Sequence, residues 1–268
     1  MSLEITLPAT SLELFHEGEF GGRIFRTEEI TDRRSYLIKC DRYEQSVNEY
    51  VAQCFIRAIG LPAPDARLIR ISSEILQVNN IDAPVNVFGG VEYLGGIKRV
   101  FDRDIFESGD DRAKRQYCQL LILNRLLGDH DATVEIYEKD GGELLLLDLG
   151  ETISSEYLLA QTLARNPAAI AAFQANCKNA VWIKEAEERM RSGRESCAYR
   201  MEKNGGADDI MIAGAVSDVL DRVTTLNLRN MGECFWALKA AYGEWLAKGY
   251  RSFFEQLRSS CRLLKKYA

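Results

Sequence analysis

The chain has 268 residues, 46% of them hydrophobic, with a formal net charge of −6 and a pI of about 5.2. That is enough apolar material for one large domain or two lobes, and the acidic balance excludes a general nucleic-acid or anionic-membrane binder. Seven cysteines (Cys40, Cys54, Cys118, Cys177, Cys197, Cys234, Cys261) are scattered and never spaced Cys-x-x-Cys. Neither a zinc site nor a disulfide framework is therefore expected. With no apolar run of about 18 residues and no basic-then-apolar N-terminus, the expected setting is the cytoplasm.

Residues 1 to 10 carry little signal. From Ser11 to Phe25 the sequence reads as strand, glycine turn, strand, with Gly18, Gly21 and Gly22 around Phe20. Glycine lets backbone N–H groups come close to a phosphate, although a plain hairpin turn needs the same residues. Ser35 to Cys40 follows as a short apolar strand carrying Lys39, a candidate phosphate-binding lysine. Tyr43 to Gly60 is the clearest helix. Tyr43, Val47, Tyr50, Val51, Cys54, Phe55, Ala58 and Ile59 repeat at helical spacing, and Gly60 with Pro62 stops it. Glu49, ten positions after Lys39, sits beside that stripe and can pair with the lysine.

Ala66 to Ile71 and Glu74 to Val78 are read as strands, and Val85 onward as a strand entering a glycine-punctuated segment. That segment is the expected change of lobe, at 90/91, dividing residues 1–90 from 91–268. An extended hinge at Val91, Glu92, Tyr93 and Leu94 offers backbone groups to an adenine edge, with Phe88 and Leu94 as apolar walls. Asp110 to Leu127 is a second, buried helix leading into Gly128-Asp-His-Asp-Ala-Thr-Val-Glu135. The Lys139-Asp-Gly-Gly142 turn folds the chain back into Leu144-Leu-Leu-Leu-Asp148, an apolar strand that delivers a carboxylate to its own end. Asp129, Asp131, Glu135 and Asp148 are thereby expected near one another, and carboxylates gathered downstream of a glycine loop and a strand lysine point to a magnesium-nucleotide site. Beyond Ser154 the pattern is helical, with breaks expected near Asn166-Pro167, Ser192-Gly193 and Asn204-Gly205-Gly206. Trp236 to Leu246 is read as part of a single terminal helix.

A β-rich first third, a helix, a hinge and a helical remainder predict an α+β chain with two lobes. The motifs Tyr36-Leu-Ile-Lys39, Val47-Asn-Glu-Tyr-Val-Ala52, Ile59-Gly-Leu-Pro-Ala-Pro64, Leu126-Leu-Gly-Asp-His-Asp131 and Leu147-Asp-Leu-Gly150 resemble those of the HipA-like branch of the protein-kinase-like superfamily. The resemblance covers roughly residues 12 to 153. It implies ATP and magnesium as cofactors and a protein serine or threonine hydroxyl as acceptor. It makes Lys39 the ligand of the α- and β-phosphates and Glu49 the residue that holds it. It makes Asp148 a magnesium ligand and Asp131 the catalytic base, with Asp129 as the alternative. The second metal ligand of such enzymes is an asparagine. The matching positions here are Ile136 or Val134, and thirteen residues before Asp148 stands Glu135, which can ligate magnesium in its place. The missing asparagine also leaves a second expectation, a degenerate relative that binds a nucleotide or a protein without catalysis.

Overall fold

The computed structural model describes residues 7–9, 11–17, 22–28, 34–108, 110–128, 134–150, 152–153, 168, 181–204 and 208–265. The strands β1 (Leu7–Pro8), β2 (Glu13–Glu17), β3 (Arg23–Glu28), β4 (Ser35–Ile38), β5 (Ala66–Arg70) and β6 (Val87–Glu92) form a sheet in the order β1-β5-β6-β4-β3-β2. Its pairings are antiparallel except for β1 with β5. A short 3-10 turn, Cys40–Arg42, carries β4 into helix α1 (Tyr43–Ala58). The carbonyls left unpaired as that helix ends are met from outside, since Arg222 donates to Ile59 O at 3.1 Å and Gly60 O at 2.9 Å.

The sheet alternates its side chains between two cores, as the pleat requires. Phe25, Tyr36, Ile38, Ile69 and Phe88 face one of them, covered by Leu76 of helix α2 (Ser73–Val78) and by Ile81. Ala66, Leu68 and Val87 face the other, against Val47, Val51 and Phe55 of α1. Helix α1 comes so close that a Cβ at Gly89 would lie 1.9 Å from the Ser46 carbonyl oxygen. Glycine is thus required at Gly89 by contact.

A second sheet joins β7 (Lys98–Arg99), β8 (Glu135–Lys139) and β9 (Glu143–Leu147), with Glu135 opposite Leu147. Side-chain amides cover β9, where Gln53 donates to Leu146 O at 3.0 Å and Gln116 to Leu144 O at 3.1 Å. Helices α3 (Asp102–Ser108), α4 (Asp111–Leu126), α5 (Val181–Lys203), α6 (Asp209–Thr225), α7 (Gly232–Tyr242) and α8 (Glu244–Leu264) make up most of the remainder. Asp110 caps α4 by accepting the Ala113 N–H, and Asp208 caps α6 by accepting that of Met211. The core around α1 continues without a break into these helices, and Phe55 stacks on Phe254 of α8 with ring centroids 4.6 Å apart. The chain is α+β, with its large sheet in the N-terminal part and its helices gathered toward the C-terminus, as the sequence predicts.

Four local expectations are corrected. Glu74 to Val78 is helix rather than strand, because Ser72 accepts the Ile75 N–H and starts a turn that a short apolar run does not announce. No break occurs at Ser192-Gly193. Gly193 lies inside α5 where that helix crosses α4, and a Cβ there would be 3.1 Å from Ile122 Cα. The terminal helix is two helices, divided at Gly243, whose φ of 99° is left-handed. Trp236 and Trp245 flank that division about half exposed. Phe88 is 0% exposed in the sheet core, so it walls no open adenine pocket. Asn166-Pro167 lies outside the described residues.

Candidate functional site

Strand β4 ends at Ile38, and Lys39 stands just past it with φ −98° and ψ 78°, turning the chain into the 3-10 segment. Its ammonium is 3.0 Å from Glu49 Oε2 and also pairs with Asp148 Oδ1. One lysine therefore joins α1 to the end of β9. Burial by itself would lower the Lys39 pKa, but the two carboxylates outweigh it and hold the ammonium above its ordinary value. Glu49 does more than hold the lysine, because its Oε1 accepts the Leu149 N–H at 3.2 Å.

The segment after β9 is fixed at almost every residue. Asp148 has φ 56° and Ile153 φ 57°, both left-handed and costly for residues other than glycine. Surrounding bonds hold them there. The Thr152 hydroxyl and N–H both donate to Leu149 O, and the Ile153 N–H donates to Leu127 O at 2.8 Å. Asn48 donates to Gly150 O at 3.0 Å. A Cβ at Gly150 would lie 2.9 Å from Gln45 Cβ and 3.4 Å from Lys39 Nζ, so the backbone passes α1 as closely as a residue without a side chain allows. The result is a buried Leu149 and an Asp148 side chain that is 55% exposed. The carboxylate is presented at a surface on a backbone that cannot easily turn.

Glu135 is next to this segment through its pairing with Leu147, but its oxygens are engaged. Arg99 approaches Oε1 at 2.7 Å and the Tyr137 hydroxyl donates to Oε2 at 2.9 Å. Burial and that bond to Glu135 push the Tyr137 phenol up to about 12. No group of three or more histidine, cysteine or acidic side chains arranged for a metal occurs among the described residues.

The hinge residues are largely committed to the sheet. Glu92 N–H donates to Asp65 O and Tyr93 N–H to Ser35 O, each at 2.7 Å, while Glu92 Oε2 accepts the Asp65 N–H. Val91 pairs with Leu37 on one side and Ala66 on the other, in a strand that runs on through residue 90 to Glu92. Leu94 follows the strand. The Tyr93 ring meets Phe15 edge-on at 5.3 Å and carries the Arg26 guanidinium at 4.9 Å. Phe15 escaped the sequence reading because an exposed strand with all five residues facing solvent has no alternation to reveal it. Gly22 lies by the Arg42 guanidinium, 3.3 Å from where its Cβ would be. Gly18, Phe20, Gly21, Asp129 and Asp131 lie outside the described residues. The residue before Asp129, Gly128, has φ 88°, and the Arg189 guanidinium sits 3.0 Å from its Cβ position.

Of the site residues expected from sequence, the structure brings Lys39, Glu49 and Asp148 into direct contact and sets Glu135 beside them in the hairpin. Asn48, Arg99 and Tyr137 complete the surroundings; Asn48 lies within the Val47–Ala52 motif with no role assigned to it there, and Arg99 and Tyr137 carry no local signal. A cleft of about 1400 Å³, bounded by Gly60, Arg99, Arg112, Lys139, Asp208 and Arg222, takes in none of Lys39, Glu49 and Asp148.

No protein-family model matches the chain, and no curated protein matches it in sequence. Among solved structures it is similar to the crystal structure of a Helicobacter pylori proinflammatory kinase, CtkA. The identity is 11%, the match covers 97% of this chain and 99% of that one, and the TM-score is 0.49.

Proposed function

We propose that the chain is an ATP- and magnesium-dependent phosphotransferase of the HipA-like kind, acting on a serine or threonine hydroxyl of a protein. The observation that carries this reading is Lys39 held at once by Glu49 and Asp148. A strand-end lysine that a helix glutamate fixes is built to meet phosphate oxygens. An exposed carboxylate on a locked turn is built to meet the hard cation that accompanies them. In this reading residues 1–90 and 91–268 are the two lobes, and ATP lies between them.

Lys39 neutralises charge on the α- and β-phosphates, and Glu49 keeps its ammonium from swinging away. The glycine segment Gly18, Phe20, Gly21 and Gly22 covers the phosphates. The adenine meets the chain at Glu92, Tyr93 and Leu94, where Leu94 and the Tyr93 carbonyl take the backbone role because the Glu92 and Tyr93 N–H groups are already spent. Asp131, or Asp129 in its place, accepts the proton of the acceptor hydroxyl as that oxygen bonds to the γ-phosphorus and ADP leaves. The chemistry of the donors suits magnesium: Asp148, whose side chain is 55% exposed, would hold the ion with hard oxygen, and Glu135, now engaged by Arg99, would be the second carboxylate. The ion would supply charge neutralisation to the phosphates.

Radiolabelled ATP with magnesium and the intact chain tests this. Wild type is expected to label itself or added protein, and Asp131→Ala and Asp148→Ala to lose the label. Equal labelling of all three overturns the catalytic assignment. A second reading, a nucleotide-binding or protein-binding module without catalysis, is favoured by one observation, the engagement of Glu135 by Arg99 and Tyr137. It predicts no label, with or without a rise in melting temperature on adding ATP and magnesium, since only a ligand of the native state raises it.

A further inference from the structure

Asn48 precedes Glu49 in α1 and is 1% exposed, yet it is spent on partners from two distant parts of the chain. Its Nδ2–H donates to Gly150 O at 3.0 Å, and its Oδ1 accepts the Tyr250 hydroxyl at 2.6 Å. Chemistry fixes these directions. A carbonyl only accepts, so the amide NH2 must face Gly150, which leaves the amide oxygen to accept from the phenol. Tyr250 belongs to α8, is 0% exposed, and lies 202 positions from Asn48. A buried two-bond chain thus runs from the C-terminal helix through α1 to the second residue after Asp148.

We propose that Tyr250 is a positioning residue for Asp148. With the phenol in place, the Asn48 amide has one usable orientation. That orientation fixes the Gly150 carbonyl and, through a short segment whose other anchor is the Glu49 bond to Leu149, keeps Asp148 in its left-handed conformation facing Lys39. Without it, Asn48 Oδ1 loses the hydrogen bond from the phenol and the amide gains a reason to turn toward other donors. The inference rests on the reading of Asp148 as the residue that meets the nucleotide's cation.

Two single-oxygen deletions separate positioning from general packing. Tyr250→Phe removes the phenol of the chain. Tyr242→Phe removes a phenol of the preceding helix whose hydrogen bond goes instead to Val87 O of β6, at 2.5 Å. Backbone hydrogen exchange across residues 144–153 needs no nucleotide. It is expected to quicken about three- to tenfold in Tyr250→Phe, the range of one lost hydrogen bond, and to stay within about twofold in Tyr242→Phe. The affinity of a fluorescent ATP analogue is then measured with and without magnesium. The gain due to magnesium is expected to fall about tenfold in Tyr250→Phe, with magnesium-free affinity unchanged. Should Tyr250→Phe not fold, Asn48→Asp, which cuts the bond to Gly150 and leaves the phenol its acceptor, takes its place. Equal exchange in the two tyrosine variants overturns the inference, as does faster exchange with the magnesium gain intact. A wild-type chain with no magnesium-dependent affinity overturns the phosphotransferase reading, and this inference with it. Retention of that gain by Tyr250→Phe overturns the inference alone.

Discussion

Leu149 donates its backbone N–H to Glu49 Oε1 at 3.2 Å, so the carboxylate that binds Lys39 also anchors the residue next to Asp148. Helix, lysine and acidic turn are therefore one unit. Glu49→Ala is expected to unfasten all three, since it leaves a largely buried ammonium with one partner in place of two and a buried N–H with none. The cost is about 2 kcal/mol, below the range for breaking a fully buried pair because Asp148 remains. Thermal unfolding should show a melting temperature lower by roughly 5 °C. An unchanged melting temperature would mean that the contact is incidental.

Lys39 has a second consequence, for pH. Its pKa in the folded chain lies above that of a free lysine, about 10.4. A group so shifted contributes stability in full below its unfolded pKa and loses it only as pH rises through the folded value. Lys39 is thus expected to stay charged at pH 9, where acetic anhydride modifies free amines. Mass spectrometry of the partly acetylated chain should find Lys39 modified more slowly than the exposed Lys239 and Lys248. Asp148→Asn, which removes one of the charges that hold the proton, should speed it. Labelling of Lys39 at the rate of the exposed lysines would contradict the ion pairs.

Local pattern carried the parts of the site that depend on one element at a time. The apolar stripe of α1, the strand that ends at Asp148 and the ten-residue step from Lys39 to Glu49 are all short-range, and each is where the spacing puts it. What escaped depends on contacts between distant segments. Asn48 meets Tyr250 across 202 positions, and Glu135 meets Arg99, with nothing in either neighbourhood to mark the pair. Gly193 reads as a helix breaker because sequence shows its low propensity and conceals the helix crossing that needs it. The strand expected at Glu74 to Val78 failed for a different reason: a short apolar run fits strand or helix, and only the Ser72 cap decides.

Two glycines should separate folding from function. At Gly89 an added Cβ meets the Ser46 carbonyl oxygen at 1.9 Å, and backbone on both sides must move. Gly89→Ala is expected to cost about 3 kcal/mol or more and to lower the yield of folded protein. At Gly150 the added methyl meets Gln45 Cβ at 2.9 Å and Gln45 O at 3.3 Å, an overlap far smaller than that at Gly89, which a shift of the turn against α1 by a few tenths of an ångström relieves, while Lys39 Nζ at 3.4 Å is in ordinary contact. Gly150→Ala should therefore fold, with a stability loss of about 1 to 2 kcal/mol, while its affinity for ATP falls roughly tenfold. Calorimetric titration beside thermal melts checks both. The opposite ranking, with Gly150→Ala the less stable protein, would show that the Asp148 turn bears on folding more than on binding.

Arg99 and Glu135 set the last test. At 2.7 Å, with side chains 42% and 19% exposed, this pair occupies an oxygen that a cation beside Asp148 would want. Partly exposed pairs contribute little to stability, on the order of 1 kcal/mol or less, so Arg99→Ala should melt within a few degrees of wild type. Its effect on the magnesium dependence of ATP binding has a definite sign. If Glu135 must leave Arg99 to reach the ion, removing the arginine spares that exchange, and half-saturation should move to magnesium concentrations about threefold lower. Glu135→Gln should move it the other way by a similar factor, because an amide oxygen carries no charge for the cation. If Glu135 serves only to hold Arg99 and Tyr137 in the hairpin, neither substitution shifts the magnesium midpoint, and the ion's protein ligand among these residues is Asp148 alone.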